Sequence, residues 1–485
     1  MKKHKKICLF ILSWTIASSP LSAQLLTLRQ AIDLALTHNR TILFNAKESY
    51  ASSRAGLAMT QAAYDYHVDF SISSTHDYSK ASFPASAETK VSTSQIWFPN
   101  LNMNRTWLTP LGGRTTAGLG LNTQITSMPY RAYQFAPQFT LSFQQPLSLN
   151  GMRAGHQDIV NARANFQSAE LGFELQREQL LVTVINGYYQ LWQAQKNIER
   201  AQREQESARR VLQIAELRLQ AKSLAESEVL NSRVQVVSAE DNFAVAENQL
   251  QNHQRNFAQL LGQDIARTAF ILVDSIVVDT LGISLDEAIS QALQNRREIR
   301  QAEIDLELSK LGVVATASSN DPVLNLSGRY NLASSQDPSF NRALRNFPFS
   351  GWNVQASVAI PLMDGGAAKS RLELAQRTCS IQQNNLYLLR ENIPLEVEQI
   401  WRGLKLDERR IATLGLNLQL AEEALDIVEL RFQHGQISSN EVEQVRSRYL
   451  ATQESLNGAR VSYKIQSAEL ARATGRLREW VERQE

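Results

Sequence analysis

The segment Glu-Leu-Arg-Leu-Gln at residues 216–220 returns as Glu-Leu-Arg-Phe-Gln at residues 429–433. The two copies are about 213 residues apart, and at the same offset Gly262 matches Gly475. Long segments repeated in the same order indicate a duplicated architecture. Each half of the chain can therefore be compared with the other, position by position.

A second match, Leu-x-x-Ala-Ile-x-x-Ala-Leu, begins at Leu28 and returns at Leu285, an offset of about 257 residues. It precedes the first match in both halves, so the order of features is the same. We predict an internal tandem repeat, with a first repeat at residues 24–282 and a second repeat at residues 283–485.

The first 23 residues, Met1 to Ala23, have the composition of a secretory signal peptide. Lysines near the N-terminus precede a short apolar run at residues 7–16, and Leu-Ser-Ala at residues 21–23 offers a small-residue cleavage site. The apolar run is well short of the ~18 to 20 residues that a spanning helix needs. We therefore expect an exported mature chain that begins near Gln24.

The composition gives no indication of a nucleic-acid partner or of an internal disulfide. The chain has 50 Lys and Arg against 48 Asp and Glu, and loss of the signal lysines leaves about −2, which gives no reason to expect a nucleic acid. Cys8 leaves with the signal and Cys379 remains alone, so we expect no internal disulfide. No cofactor or metal is expected.

The prolines divide the mature chain into two kinds of segment. Six lie within residues 84–146 and four within residues 322–361, whereas Pro394 is the only one after them. Proline removes a helical donor and clashes with the preceding turn, so proline-poor stretches rich in Gln, Glu, Ala, Leu and Arg indicate long helices. We predict helical hairpins at about 153–262 and 367–475.

Within the proline-bearing segments apolar and polar residues alternate, which predicts strands within residues 64–147 and 323–362. A membrane barrel alternates in this way, and so does a half-buried sheet of a soluble protein. The pattern alone favours neither, whereas the export signal and the long helices favour the barrel. Among the alternating apolar positions are Tyr66, Val68, Phe70, Ile72, Phe139, Leu141, Phe143, Leu324, Leu326, Tyr330, Trp352, Val354 and Val358.

One alternating segment, residues 91–127, has no counterpart in the second repeat. It predicts an extra hairpin with its turn at residues 110–113 (Pro-Leu-Gly-Gly). Alternation does not place this hairpin inside or outside a membrane.

The long helices carry apolar residues at spacings of three and four, a period of seven that predicts left-handed coiled coils. The pattern breaks at residues 221–225 in the first repeat and 434–439 in the second, so each repeat ends in an antiparallel hairpin. Gly435 suits the left-handed conformation that ends a helix, and Ser439 or Asn440 suits the next N-cap. One stripe consists of Ile411, Leu414, Leu418, Ala421, Leu425, Val428 and Phe432.

The strands imply an oligomer if they lie in lipid. Four strands per chain, or six with the extra hairpin, leave open edges whose backbone groups lipid cannot satisfy, and barrels close with eight strands or more. Several copies must pool strands. Three copies of four strands would make twelve, but this argument does not set the number of copies.

These features together resemble the TolC family of outer-membrane efflux and secretion channels. Besides the Leu-x-x-Ala-Ile starts, the matching segments are Gln-Pro-Leu at 145–147, Ile-Pro-Leu at 360–362, Asp-Gly-Gly at 364–366, Arg-Phe-x-x-Gly at 431–435 and Glu-Val at 441–442. The resemblance covers essentially the whole mature length.

The resemblance implies an α+β membrane protein that is a homotrimer. Long antiparallel coiled-coil helices would form a periplasmic α-barrel, joined to an oligomeric transmembrane β-barrel of twelve strands in the outer-membrane lipid. Substrates would pass from an inner-membrane pump through a periplasmic adaptor, the membrane fusion protein, to the exterior.

The resemblance also assigns roles to the hairpin tips, which would form the pore entrance and contact the adaptor. Glu441 matches the first of two acidic positions that ring the entrance, whereas the second is Gln444, and Glu228 is the first-repeat equivalent of Glu441. These acids also fit a plainer role, because acids in a first helical turn offset the helix dipole. The expected adaptor-contacting residues are Lys222, Ser223, Leu224, His434, Gly435, Gln436 and Ile437.

Other functions fit the sequence less well. The chain has no His-Glu-x-x-His motif and no phosphate-binding glycine loop, so we expect no catalytic residues. An exported coiled-coil structural protein or adhesin without a pore would explain the helices but not the amphipathic strands. Drug or metal efflux and type I protein secretion share the expected architecture, and the sequence does not distinguish them.

Overall fold

The computed structural model describes residues 22–39, 42–65, 67–84, 89–109, 111–128, 131–147, 149–222, 225–263, 268–273, 276–279, 282–318, 321–434 and 436–483. Residues 1–21 of the expected signal peptide therefore lie outside the described residues, as do Tyr66, Pro110, Ser223, Leu224 and Gly435.

The chain is α+β, as expected, with long helices that alternate with strands. In chain order the elements are β1 (Ser22–Leu26), α1 (Leu28–His38), α2 (Leu43–Ala62), β2 (His67–Pro84), β3 (Thr89–Leu108), β4 (Arg114–Met128), β5 (Ala132–Pro146), α3 (Leu149–Gln220), α4 (Glu226–Leu261), β6 (Thr268–Leu272), α5 (Leu285–Asn295), α6 (Arg297–Ala317), β7 (Val323–Ala333), α7 (Phe340–Arg345), β8 (Phe349–Ala359), α8 (Ala367–Gln433), α9 (Ser439–Ala473) and α10 (Leu477–Glu482).

The elements fall into two compact units that cut across the two repeats. Of the described residues, unit 1 takes those up to Asn45 together with those within 175–296 and 392–485, and unit 2 takes those within 46–174 and 297–391. Each unit therefore takes segments from both halves of the sequence. The repeat boundaries at 282 and 283 remain a proposal about sequence organisation.

Unit 2 contains a six-stranded antiparallel sheet in the order β2-β3-β4-β5-β7-β8. Its strands lie within the two segments, residues 64–147 and 323–362, where the alternation predicts strands. The unplaced segment at 91–127 forms β3 and β4 inside this sheet, and its turn closes where Thr109 N–H donates to Gly113 O at 2.7 Å. This sheet thus takes six strands from one chain, whereas the twelve-stranded barrel implied by the resemblance takes four.

Long helices occupy the two segments for which the sequence predicts helical hairpins. α3 runs 72 residues and α8 runs 67 residues, several times the length of an ordinary globular helix. In α8 the predicted stripe is the less exposed side, from Ile411 to the buried Phe432. Pro394 lies inside α8, so the carbonyl of Arg390 lacks its usual helical donor there.

Unit 1 also contains the short helices that begin each repeat. α1 and α5 are the two Leu-x-x-Ala-Ile segments, and each starts with a capping box, Thr27 with Gln30 and Ser284 with Glu287. A parallel strand pair, β1 with β6, lies in the same unit. Within the described part of the chain, no helix is long and apolar enough to cross a membrane.

Candidate functional site

The first tip joins α3 to α4. α3 ends at Gln220, and Lys222 N–H then donates to Leu219 O at 2.9 Å. Lys222 has φ 58, in the left-handed region that glycine adopts freely. It is the repeat equivalent of Gly435, so the first tip has lysine where the second has glycine. Ser223 and Leu224, also expected at this tip, lie outside the described residues.

The second tip joins α8 to α9. His434 N–H donates to Leu430 O at 3.1 Å and Gln436 N–H donates to Arg431 O at 3.0 Å, so both close the end of α8. The N-cap of α9 is Ser438, whose hydroxyl accepts from Glu441 N–H at 3.3 Å. The prediction of Ser439 or Asn440 as cap was wrong by one or two residues.

Helix-cap types cluster here, which explains the error. Serines stand at 438 and 439 and an asparagine at 440, and all three side chains are good N-caps. Sequence alone does not choose among them, because the choice depends on where the backbone leaves the extended region. In the structure that residue is Ser438, at φ −79 and ψ 159.

The second tip rests on a small apolar core. Val211, Phe432 and Val442 are buried together, from α3, α8 and α9 respectively. Ile437 is half-buried against this core, whereas His434 and Gln436 are exposed. Of the described residues expected to contact an adaptor at this tip, the two polar ones are thus open to solvent, and the apolar one anchors the turn. The partly buried side chains around this core are Ile214, Val428 and Ile437.

Arg218 of α3 closes the end of α8. Its Nη2 donates to the carbonyl oxygens of Phe432 and, at 3.1 Å, of Gln433, and its guanidinium carbon lies 4.9 Å from the centre of the Phe432 ring. A cation on the last carbonyls of a helix satisfies acceptors that have no helical donor and opposes the negative end of the dipole. The contact fastens the two hairpins of one chain together near their tips.

Each hairpin is also braced by an arginine–glutamate pair at equivalent positions. Arg233 bonds to Glu216 at 3.2 Å in the first hairpin, and Arg446 bonds to Glu429 at 2.7 Å in the second. The first arginine side chain is 61% exposed and the second only 8%. The same ion pair therefore has an exposed arginine in the first hairpin and a buried arginine in the second.

Glu443 is a second carboxylate beside the buried side chain of Arg446. Its carboxylate lies 3.7 Å from Arg446, and burial raises the pKa of Glu443 above its ordinary value of 4.5. The Arg446 charge opposes that rise, whereas Glu204 on α3 adds to it. Glu443 was not among the expected site residues, although its place between Glu441 and Gln444 was the available signal.

The expected entrance residues lie at the helix starts. Glu441 is in the first turn of α9 and is exposed, as is Gln444. Glu228 is in the first turn of α4 and half-buried. This placement suits the role of offsetting the helix dipole, and it leaves the role in a pore entrance as a proposal.

The sheet of unit 2 provides a second candidate surface, because its two faces differ along its whole width. We define the apolar face by residues that pair side by side across the strands, such as Phe70, Met103, Leu119, Phe139 and Leu332. We define the polar face by the adjacent row, which consists of Asp69, Asn104, Gly118, Thr140 and Asn331.

The polar face is close-packed where asparagines meet glycines. A Cβ added at Gly118 would lie 2.6 Å from Asn104 Oδ1, and one at Gly120 would lie 2.8 Å from Asn102 Oδ1. The missing side chains therefore leave room for the amides. Thr140 donates to Asn331 at 3.1 Å and so joins a strand of the first repeat to one of the second.

Among the residues that the structure describes, no group of three or more His, Cys, Asp and Glu side chains could hold a metal ion. What the arrangement provides is a pair of braced helical tips and a sheet with one face suited to lipid and one suited to water.

Comparison with known proteins gives consistent matches. The family model described as Outer membrane efflux protein matches residues 107–263 and 288–476. Outer membrane protein TolC of Vibrio cholerae is 20% identical over 340 residues, which are 70% of this chain and 76% of that protein.

Two solved structures show the same fold. The CmeC outer membrane channel of Campylobacter jejuni superposes with a TM-score of 0.69 at 15% identity, covering 94% of this chain and 89% of that one. The outer membrane protein VceC of Vibrio cholerae gives a TM-score of 0.68 at 17% identity, covering 92% and 96%.

Proposed function

Because the chain belongs to the outer membrane efflux protein family, we propose that it is the outer-membrane channel of a tripartite efflux or type I secretion system. In this proposal it is a homotrimer that conducts substrates passively. An inner-membrane pump and a periplasmic adaptor deliver them, and the channel releases them outside the cell.

The observation that carries the proposal is the sheet with one apolar and one polar face. The apolar face leaves large side chains open to solvent in a single chain: Phe70 is 62% exposed and Leu119 is 53% exposed. A soluble sheet would bury such a face against another layer. Lipid on the apolar side and water on the polar side match the pattern of outer-membrane barrels.

The tips support the second half of the proposal. In each repeat a short turn with exposed polar residues stands between two long helices, on a braced base. Among the described residues expected to contact an adaptor, Lys222, His434 and Gln436 are exposed. Glu441, Gln444 and Glu228 are the positions proposed to line the entrance.

The test of channel formation uses the purified mature protein. We expect it to require detergent for extraction from outer membranes and to open ion-conducting pores in planar bilayers. A mature protein that is freely soluble, or one that inserts without conducting, would overturn the proposal in favour of an exported coiled-coil protein without a pore.

The test of adaptor coupling uses Gly435→Pro. We expect export to fail while the trimer still reaches the outer membrane, because the change falls on the turn and not on the strands. Lys222→Pro is the matched change at the first tip and measures whether the two tips contribute equally. Loss of the trimer in Gly435→Pro would instead make the tip a structural element. Identification of the pump that operates with this channel would distinguish among drugs, metals and proteins as its substrates.

A further inference from the structure

The extra hairpin lies within the sheet and not at its margin. β3 pairs with β2 from Thr106 with His67 to Thr89 with Pro84, and β4 pairs with β5 from Arg114 with Gln144 to Thr126 with Ala132. The inserted strands therefore separate β2 from β5, and every strand between the two edges has a neighbour on both sides.

The apolar face and the polar face of the sheet both continue across the inserted strands β3 and β4. Met103 and Leu119 lie in the apolar row between Phe70 and Phe139. A shift of one residue in either strand would have put these side chains on the polar face. The inserted strands thus present the same face to the same surroundings as their neighbours.

Aromatic residues mark two levels on the apolar face of the inserted hairpin. Trp97 and Trp107 lie on this face of β3, ten residues apart, and pair through β4 with Tyr133 and Phe143 of β5, also ten apart. Ten residues span about 33 Å along a strand, or about 25 Å across a membrane at a tilt of about 40°. Paired aromatic belts at about 25 Å are the mark of a strand that crosses the bilayer.

The two edges of the sheet, β2 and β8, have no strand beside them in the described part of the chain. Lipid cannot satisfy the backbone groups of such an edge. Six antiparallel strands make the first and last run in opposite directions. β8 of one copy can therefore pair antiparallel with β2 of the next, and the occupant of each edge is a second copy of this chain.

We infer that β3 and β4 cross the outer membrane and that three copies close a barrel of eighteen strands, six from each chain. The number three rests on the proposed function, whereas the six strands do not. Barrel width grows with strand number, so eighteen strands give about 36 Å between opposite backbones and twelve give about 24 Å. The hairpin therefore widens the exit in the membrane.

The first test locates the hairpin by cysteine labelling in intact outer membranes, in a Cys379→Ser background. We expect Asn104→Cys to react with a membrane-impermeant maleimide and its neighbour Met103→Cys to be protected. Thr140→Cys and Phe139→Cys are the matched pair on β5 and should behave in the same way. Equal, rapid reaction at 103 and 104 would place the hairpin outside the bilayer and overturn the inference.

The second test counts strands in the unmodified protein, which removes any dependence on how the variants fold. Native mass spectrometry should give three copies, and electron cryomicroscopy of the same assembly should show eighteen strands. A trimer with a twelve-stranded barrel would overturn the inference and leave the proposed function standing. A two-copy barrel would overturn the count of eighteen, and a soluble monomer would overturn the proposed function as well.

Discussion

Lys222 occupies a backbone conformation that glycine adopts freely and that a residue with a Cβ adopts at a cost. Its φ of 58 lies at the turn of the first hairpin, and its repeat equivalent in the second hairpin is Gly435. The lysine-to-glycine difference between the two tips thus falls on a residue whose backbone is left-handed in the first tip. The first tip holds a strained residue where the second has the residue best suited to relieve strain.

We expect Lys222→Gly to stabilise the first tip by up to about 1 kcal/mol, since an L-residue in the left-handed region costs on the order of 1 kcal/mol or more. Amide hydrogen exchange at the end of α3 would measure the change as slower local opening. Lys222→Ala removes the charge but keeps the Cβ, so it should not slow exchange. Equal slowing in both variants would attribute the effect to charge.

Glu443 makes the second hairpin sensitive to pH. Burial raises the pKa of this carboxyl in the folded chain above 4.5, so the folded state holds the proton more tightly than the unfolded state. Its contribution to stability is complete below the unfolded pKa and is lost as pH rises through the folded pKa.

We therefore expect Glu443→Gln to flatten the pH dependence of the second hairpin and to exceed the parent in stability once the parent carboxyl is ionised. Local hydrogen exchange in α9, measured from about pH 4 to 8, would follow it. Glu423→Gln, a change in the same unit at a residue outside the Glu443–Arg446 contact, is the control. A parent that gains stability with rising pH would contradict the sign.

A substitution at Glu441 tests whether this residue lines the proposed pore entrance. If three copies bring this exposed carboxylate near one axis, Glu441→Gln should lower the cation-to-anion permeability ratio by about twofold or more. Reversal potentials in planar bilayers under a salt gradient would measure it, with Glu226→Gln as a matched change in the first turn of α4. An unchanged ratio would leave Glu441 with the role of offsetting the helix dipole.

Among the elements, the contact between α3 and α8 has the clearest consequence. Arg218 holds the last carbonyls of α8 and lies beside the Phe432 ring, so it joins two hairpins that are distant in sequence. Its repeat equivalent, Arg431, is exposed. Of these two equivalent arginines, Arg218 binds the end of another long helix, whereas the Arg431 side chain is open to solvent.

We expect Arg218→Lys to weaken this fastening by about 2 kcal/mol, because lysine has no planar guanidinium that can lie beside the Phe432 ring while its Nη2 donates to both carbonyls. The looser tip should raise the conductance of single channels in planar bilayers and speed hydrogen exchange at the end of α8. Arg431→Lys is the matched control and should change neither. Faster exchange without a conductance change would make the contact purely structural.

The elements also show which features could be predicted from sequence. Alternation predicted the strands of both repeats, and the seven-residue period predicted the hairpins, because both signals are local. The membership of β3 and β4 in the sheet could not be predicted in that way, since it depends on pairing with β2 and β5. The Arg218 contact could not be predicted from the sequence either, because its acceptors are backbone carbonyls, which every residue has.

At the level of the whole molecule, the inserted hairpin can be removed without reversing any other strand. Deletion of residues 89–128 would leave β2 and β5 antiparallel, with Phe70 able to pair with Phe139 and about 14 residues free to connect them. The faces of the remaining strands would stay where they are. The shortened chain therefore retains the four strands that the family resemblance implied.

We expect the shortened channel to exclude smaller polymers than the parent does. Neutral polymers added to the outer side of a planar bilayer enter a wide exit and reduce its conductance, and the cut-off diameter should fall by about a third. The tips are untouched, so ion selectivity is the internal control and should not change. An unchanged cut-off would mean that β3 and β4 do not line the exit.

The insertion is a whole hairpin, and that has a consequence for how such pores can evolve. One added strand would reverse the direction of every strand after it and would leave β8 parallel to the neighbour it must join. Only pairs of strands can be gained or lost, and a threefold ring multiplies each pair to six. In the proposed threefold barrel, each gained or lost hairpin would therefore change the width by about 12 Å at a constant strand tilt.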